Sequence, residues 1–100
     1  MKLEGKVAIV TGGARGNGFA AAKCMAEEGA DIAIADICED MATIPYKMST
    51  PQSMAASVEK IEALGRRAIG IKCDVRKAAD VENMVNQVME TFGKIDILIN

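Results

Sequence analysis

Thr11-Gly12-Gly13-Ala14-Arg15-Gly16-Asn17-Gly18 directly follows the apolar run Val7-Ala8-Ile9-Val10. Gly12, Gly16 and Gly18 are spaced where a strand should hand over to a helix. An ordinary handover needs one glycine at most, so this spacing implies a ligand close to the backbone. A helix opening here aims unpaired N–H groups and its positive dipole end at that ligand, which suits a phosphate or pyrophosphate. Gly12 can make the sharp turn. Gly16 and Gly18, without Cβ atoms, admit a pyrophosphate and the neighbouring strand. Asp36 closes a second apolar run, 18 positions past Gly18. A carboxylate there can accept hydrogen bonds from both hydroxyls of an adenosine ribose and repel a 2′-phosphate, which favours NAD over NADP. The plainer reading is that Asp36 only ends a strand.

Other chemistries fit less well. A P-loop needs Lys-Ser/Thr after its last glycine, whereas Phe19-Ala20 follow Gly18. A methyltransferase also uses a glycine-rich loop and an acidic ribose clamp, and only the spacing of the loop speaks against it. The chain has no histidine, which removes Ser–His catalysis and histidine metal sites. Cys24, Cys38 and Cys73 are odd in number and lack a CxxC spacing. They read as reduced thiols, with no disulfide framework and no metal, and so point to a cytoplasmic protein. With 12 basic and 14 acidic residues there is no nucleic-acid patch or membrane-seeking face. No signal peptide is visible at the start, and no apolar run reaches the ~18 residues of a membrane span.

The elements that must position these residues alternate in type. Lys6–Val10, Asp31–Ala35, Ala68–Lys72 and Ile95–Ile99 read as short buried strands. A helix runs from Gly16 to Glu28, with Phe19, Ala22 and Met25 at helical spacing and Gly29 as its cap. A second starts near Pro51, with Thr50 as N-cap and Met54, Val58, Ile61 and Leu64 as its stripe. The third carries Val81, Met84, Val85, Val88, Met89 and Phe92 on one face and stops at Gly93. Residues 37–50 hold no clear period. The order β-α-β-α-β-α-β implies an α/β fold: part of a doubly wound, Rossmann-type parallel sheet, strand order 3-2-1-4.

Gly12-x-x-x-Gly16-x-Gly18 after Thr11 resembles the TGxxxGxG pattern of the short-chain dehydrogenase/reductase family. Cys73-Asp74-Val75 resembles the Asp-Val pair of that family. Phe92 through Asn100 (FGKIDILIN) resembles the lead-in to its Asn-Asn-Ala-Gly motif. The resemblance covers the chain apart from an insert at 37–51, and its four motifs come in order. It implies that Gly12, Gly16 and Gly18 shape the phosphate cradle, with Arg15 and Asn17 lining it. Asn17 stands where the family commonly has isoleucine or leucine. Asp36 would bind the adenosine ribose with Ile37 beside it. Asp74 and Val75 would contact the adenine, and Asn100 would lie near the adenosine through its backbone. The insert is similar to that of the mycofactocin-associated, carveol-dehydrogenase-like members, where it is thought to cover NAD. A passive surface loop is the plainer alternative.

Family chemistry needs a tyrosine, a lysine four residues later and a serine. The one tyrosine, Tyr46, lies in the insert and is followed at that spacing by Thr50. No catalytic residue is therefore assigned within 1–100. The expectation is a 1–100 NAD-binding half-domain that stops before the catalytic segment of a longer enzyme, and that is inactive and marginally stable by itself. That enzyme would be an NAD-dependent dehydrogenase passing hydride between NAD(H) and a secondary alcohol or ketone. A homo-oligomer and a mycofactocin-type redox partner are further implications of the resemblance. The competing expectations are a non-catalytic dinucleotide-binding module and, less well matched, a structural α/β domain without nucleotide.

Overall fold

The structure, a computed structural model, describes residues 2–12, 16–37 and 51–99. Its elements run β1 (Val7–Thr11), α1 (Gly16–Glu27), β2 (Asp31–Asp36), α2 (Pro51–Glu62), β3 (Ala68–Lys72), α3 (Ala78–Phe92) and β4 (Ile97–Ile99). The four strands form one parallel sheet in the order β3-β2-β1-β4, as the alternation of elements predicts. Of the insert expected at 37–51, residues 38–50 lie outside the described residues, as does the expected N-cap Thr50, while Pro51 opens α2.

The central strands β1 and β2 are apolar on both faces because each face meets a helix layer. Ala8, Val10, Ile32 and Ile34 pack toward Ala22 and Ala26 of α1 and Met54 and Ile61 of α2. Val7, Ile9, Ala33, Ala35 and Ile71 point the other way, toward Met84 and Val88 of α3. The buried surface of α1 is alanine, so its backbone sits close to the sheet. Gly70 in β3 serves the same purpose on α2. A Cβ there would lie 2.6 Å from Met54 Sδ.

The helices stop where glycine allows a left-handed turn. After α1, Gly29 N–H donates to Ala26 O at 2.9 Å and Ala30 N–H donates to Met25 O at 3.1 Å, with Gly29 at φ +101. These paired bonds satisfy carbonyls that the helix end would otherwise orphan. Gly93 ends α3 with φ +80 and a bond from its N–H to Met89 O. Leu64 follows the end of α2 and is exposed. It does not complete the stripe that its spacing suggests.

β1 and β2 each run one residue past the sequence reading, to Thr11 and Asp36, and two strands start later, for local reasons. Lys6 is outside β1 because its N–H donates to Leu3 O in a turn. β4 starts at Ile97 instead of Ile95 because Asp96 inserts its side chain into the pairing. Asp96 Oδ2 accepts from Val7 N–H at 2.9 Å, and Asp96 N–H donates to Val7 O at 2.9 Å. On α3 only Met84 and Val88 are fully buried, while Val85 and Met89 are exposed. Leu98 of β4 is 56% exposed.

Candidate functional site

The carboxyl ends of the strands gather the predicted residues along one edge of the sheet. Parallel pairing sets Thr11 opposite Ala35 and Asp36 opposite Lys72. Gly12 N–H donates to Ala35 O at 2.7 Å, so the glycine turn grows directly out of the ladder. Thr11 Oγ1 donates to Ile99 O at 3.2 Å, tying the end of β1 to that of β4. Cys73 N–H donates to Asp36 O at 2.8 Å, bringing the segment after β3 beside the end of β2.

Gly12 has φ +66 and Gly16 has φ +63. Both angles lie in the left-handed region that L side chains rarely adopt. A Cβ built on either glycine meets nothing within 4 Å among the described residues. Packing against the described residues therefore does not explain the glycines, whereas the left-handed backbone does. Gly16 opens α1, Asn17 is exposed in its first turn, and Gly18 is half-buried. Arg15 and Asn100 lie outside the described residues.

Asp36 is 6% exposed and Asp74 8% exposed, and both stand at this edge. Ile37 beside Asp36 is half-buried, and Val75 beside Asp74 is exposed. A buried carboxylate next to an exposed aliphatic surface suits a flat ring that carries an edge donor. The fold thus brings together Gly12, Gly16, Asn17, Gly18, Asp36, Ile37, Asp74 and Val75. Asp36 ends β2 on the same edge of the sheet as the glycine turn.

The sequence reading missed the network around Asp74. The Arg76 guanidinium donates from Nε to Asp74 Oδ1 at 2.9 Å and from Nη2 to Oδ2 at 2.8 Å. Arg76 N–H also donates to Oδ1, at 3.0 Å. Asp80 Oδ2 accepts from Asp74 N–H at 3.0 Å. The side-chain bonds from Arg76, followed by its backbone bond, hold the Asp74 carboxyl below its ordinary 3.8, at about 2. Burial pushes the Cys73 thiol up, and the charges of Asp80 and Asp74 add to that. The two-residue step from Asp74 to Arg76 was the available signal, since an Asp side chain commonly binds the backbone two residues on.

No group of His, Cys, Asp or Glu that could hold a metal ion occurs among the described residues. None of the described helices is long and apolar enough to cross a membrane. The arrangement can bind an anion at the glycine turn, and hydroxyls or ring amines at the two carboxylates. Those are the parts of an adenine dinucleotide, so the residues present fit such a cofactor.

Comparison with known proteins agrees with this geometry. The chain is 38% identical over 97 residues to (-)-trans-carveol dehydrogenase of Rhodococcus erythropolis, covering 97% of this chain and 35% of that protein. It matches the crystal structure of carveol dehydrogenase from Mycobacterium avium in complex with NAD with a TM-score of 0.92 and 36% identity, covering 97% of this chain and 35% of the other. A short chain dehydrogenase from Burkholderia cenocepacia in complex with NADP matches with a TM-score of 0.81 and 44% identity, covering 100% and 36%. The chain thus spans about a third of the length of the relatives it matches. The family described as short chain dehydrogenase matches over residues 6–100, and the chain belongs to that family.

Proposed function

We propose that these residues form the NAD-binding part of an oxidoreductase that passes hydride between NAD(H) and a secondary alcohol or ketone. The observation that carries this reading is the pairing of two left-handed glycines, neither of which packs against the described residues, with the buried Asp36 at the end of the next strand. Hydride transfer itself is proposed for a protein of the relatives' length. When bound, the dinucleotide supplies or takes up the hydride, and the roles below belong to this chain's own residues.

Gly16 opens α1, whose first-turn N–H groups and positive dipole end are offered to a pyrophosphate. Asp36 accepts the ribose hydroxyls, and its carboxylate disfavours a 2′-phosphate. Asp74 accepts from the adenine amine while Val75 covers a face of the ring. Thr11 keeps β1 and β4 level at the site. The relatives named carveol dehydrogenases support the alcohol or ketone class.

The test is calorimetric titration with NAD and NADP. The wild-type protein should bind NAD more tightly, and Asp36→Asn should reduce that preference by roughly tenfold or more, the scale of a lost charged hydrogen bond. An NADP preference in the wild type would overturn the assignment to Asp36. Binding of neither would overturn the dinucleotide reading. NAD binding without alcohol oxidation, by a protein that includes the Tyr-x-x-x-Lys segment, would favour a non-catalytic module.

A further inference from the structure

Arg76 approaches Asp74 as a planar fork, with one prong on each carboxylate oxygen, and its own N–H adds a third bond. A lysine could supply the charge but not this two-pronged geometry. Asp74 is also held through its backbone. Its N–H donates to Asp80, and its carbonyl accepts from Lys77 N–H at 2.9 Å. The preceding residue, Cys73, is bonded to Asp36 O. Neither the main chain nor the side chain of Asp74 can turn without breaking several of these bonds.

The bonds also limit what the carboxylate can accept. An ionised carboxylate offers about four lone-pair directions. Oδ1 accepts twice from Arg76 and Oδ2 once. Among the described residues, one direction on Oδ2 remains for a ligand, and it can accept but not donate. A purine with a 6-amino group brings a donor to that point. A purine with a 6-oxo group brings an acceptor, which the carboxylate repels.

Stability is a poor reason for such an arrangement. The Arg76 side chain is 62% exposed while that of Asp74 is 10% exposed, and exposed ion pairs contribute little to folding. We propose that Arg76 is a positioning residue that fixes Asp74 as a one-directional acceptor and so makes the site select 6-aminopurine over 6-oxopurine dinucleotides. The inference rests on the proposed function, in which the base lies at Asp74. The low carboxyl value of Asp74 is consistent with it, since a protonated acid could donate to a 6-oxo group.

The test is calorimetric titration with NAD and with nicotinamide hypoxanthine dinucleotide. Wild type, Arg76→Gln, Arg76→Lys, Asp74→Asn and the Arg76→Gln/Asp74→Asn double variant are compared, with thermal melts confirming the fold of each. Wild type should prefer NAD by roughly tenfold or more. Arg76→Gln should lose most of that preference, and Arg76→Lys should behave like it because the fork is gone. In the Asp74→Asn background, Arg76→Gln should change the ratio no further, the signature of a residue acting through its partner. An Arg76→Gln variant that binds both dinucleotides equally more weakly, with the ratio unchanged, would overturn the proposal. Full recovery with lysine, or a further change in the double variant, would also overturn it. If wild type binds both dinucleotides without discrimination, this inference alone fails. If it binds neither, the underlying reading fails with it.

Discussion

Replacing Gly29 with alanine should cost the protein about 2–4 kcal/mol of folding stability, combining backbone strain, overpacking and a smaller unfolded-state gain. Gly29 has φ +101, and a Cβ there would sit 2.9 Å from Glu4 Cα and 3.0 Å from Glu4 N. Holding an L residue at such an angle costs about 1–3 kcal/mol. Forcing the contact costs about 1–3 kcal/mol more, because the obstacle is backbone. That backbone is tethered by Leu3 N–H to Glu28 O at 2.7 Å and cannot swing away as a side chain would. The stiffer unfolded chain returns about 0.4–1 kcal/mol. Gly65→Ala is the control: φ is +86, and a Cβ meets nothing within 4 Å. It should cost only the conformational part, about 1–2 kcal/mol. Urea unfolding of both variants, with unchanged slopes, measures the difference. Equal losses at Gly29 and Gly65 would refute the claim that close approach to Glu4 matters.

Acid should weaken the fold in a defined window. The Asp74 carboxyl lies at about 2 in the folded protein against an ordinary 3.8, so its contribution is present above about pH 4 and lost as pH falls toward 2. Arg76→Gln should flatten that part of a pH-dependent denaturation series. In a Cys38→Ser variant, iodoacetamide should modify the exposed Cys24 at neutral pH and spare Cys73, whose buried thiol resists ionisation, until denaturant is added. Equal labelling rates in the native protein would contradict the burial of Cys73. Gly70→Ala should cost about 1 kcal/mol, because the clashing Met54 side chain is flexible. The cost should shrink when Met54 is shortened to alanine.

Much of the architecture was legible because the apolar period changes sharply between elements. Val81, Met84, Val88 and Phe92 give a helix, and Ala68–Lys72 a strand whose limits match the structure. Right-handed crossovers leave few topologies, and the doubly wound pattern among them has the strand order 3-2-1-4. What stayed hidden depended on contacts far apart in sequence. Nothing near Ile95 indicates that the Asp96 side chain will take the N–H of Val7, which shortens β4. Val85 and Met89 satisfy the helical period of α3, yet the four strands do not reach under them, and they stay exposed. At the site, Gly12, Gly16 and Asp36 are singled out by type and spacing, and Asp74 only by the resemblance of Cys73-Asp74-Val75 to the Asp-Val pair of the family. For Arg76 the two-residue step from Asp74 signals only the backbone bond, and the fork of its guanidinium on the carboxylate shows in the structure alone.

The pairing of β1 with β4 also sets an order in time. Val7 is bonded to Asp96, and Thr11 to Ile99, across nearly the whole chain. β2 lies only about twenty residues beyond β1 and can cover one side of it early in synthesis. The other side must wait for residues 96–99. At about 5–20 residues per second, a ribosome needs roughly 5–20 seconds to deliver them. For that interval β1 carries an open, apolar edge, which is a template for strand addition by another chain. The hydrogen bonds that level the ends of β1 and β4 thus cannot form until residues 96–99 have been made, and β1 is open to misassociation until they close.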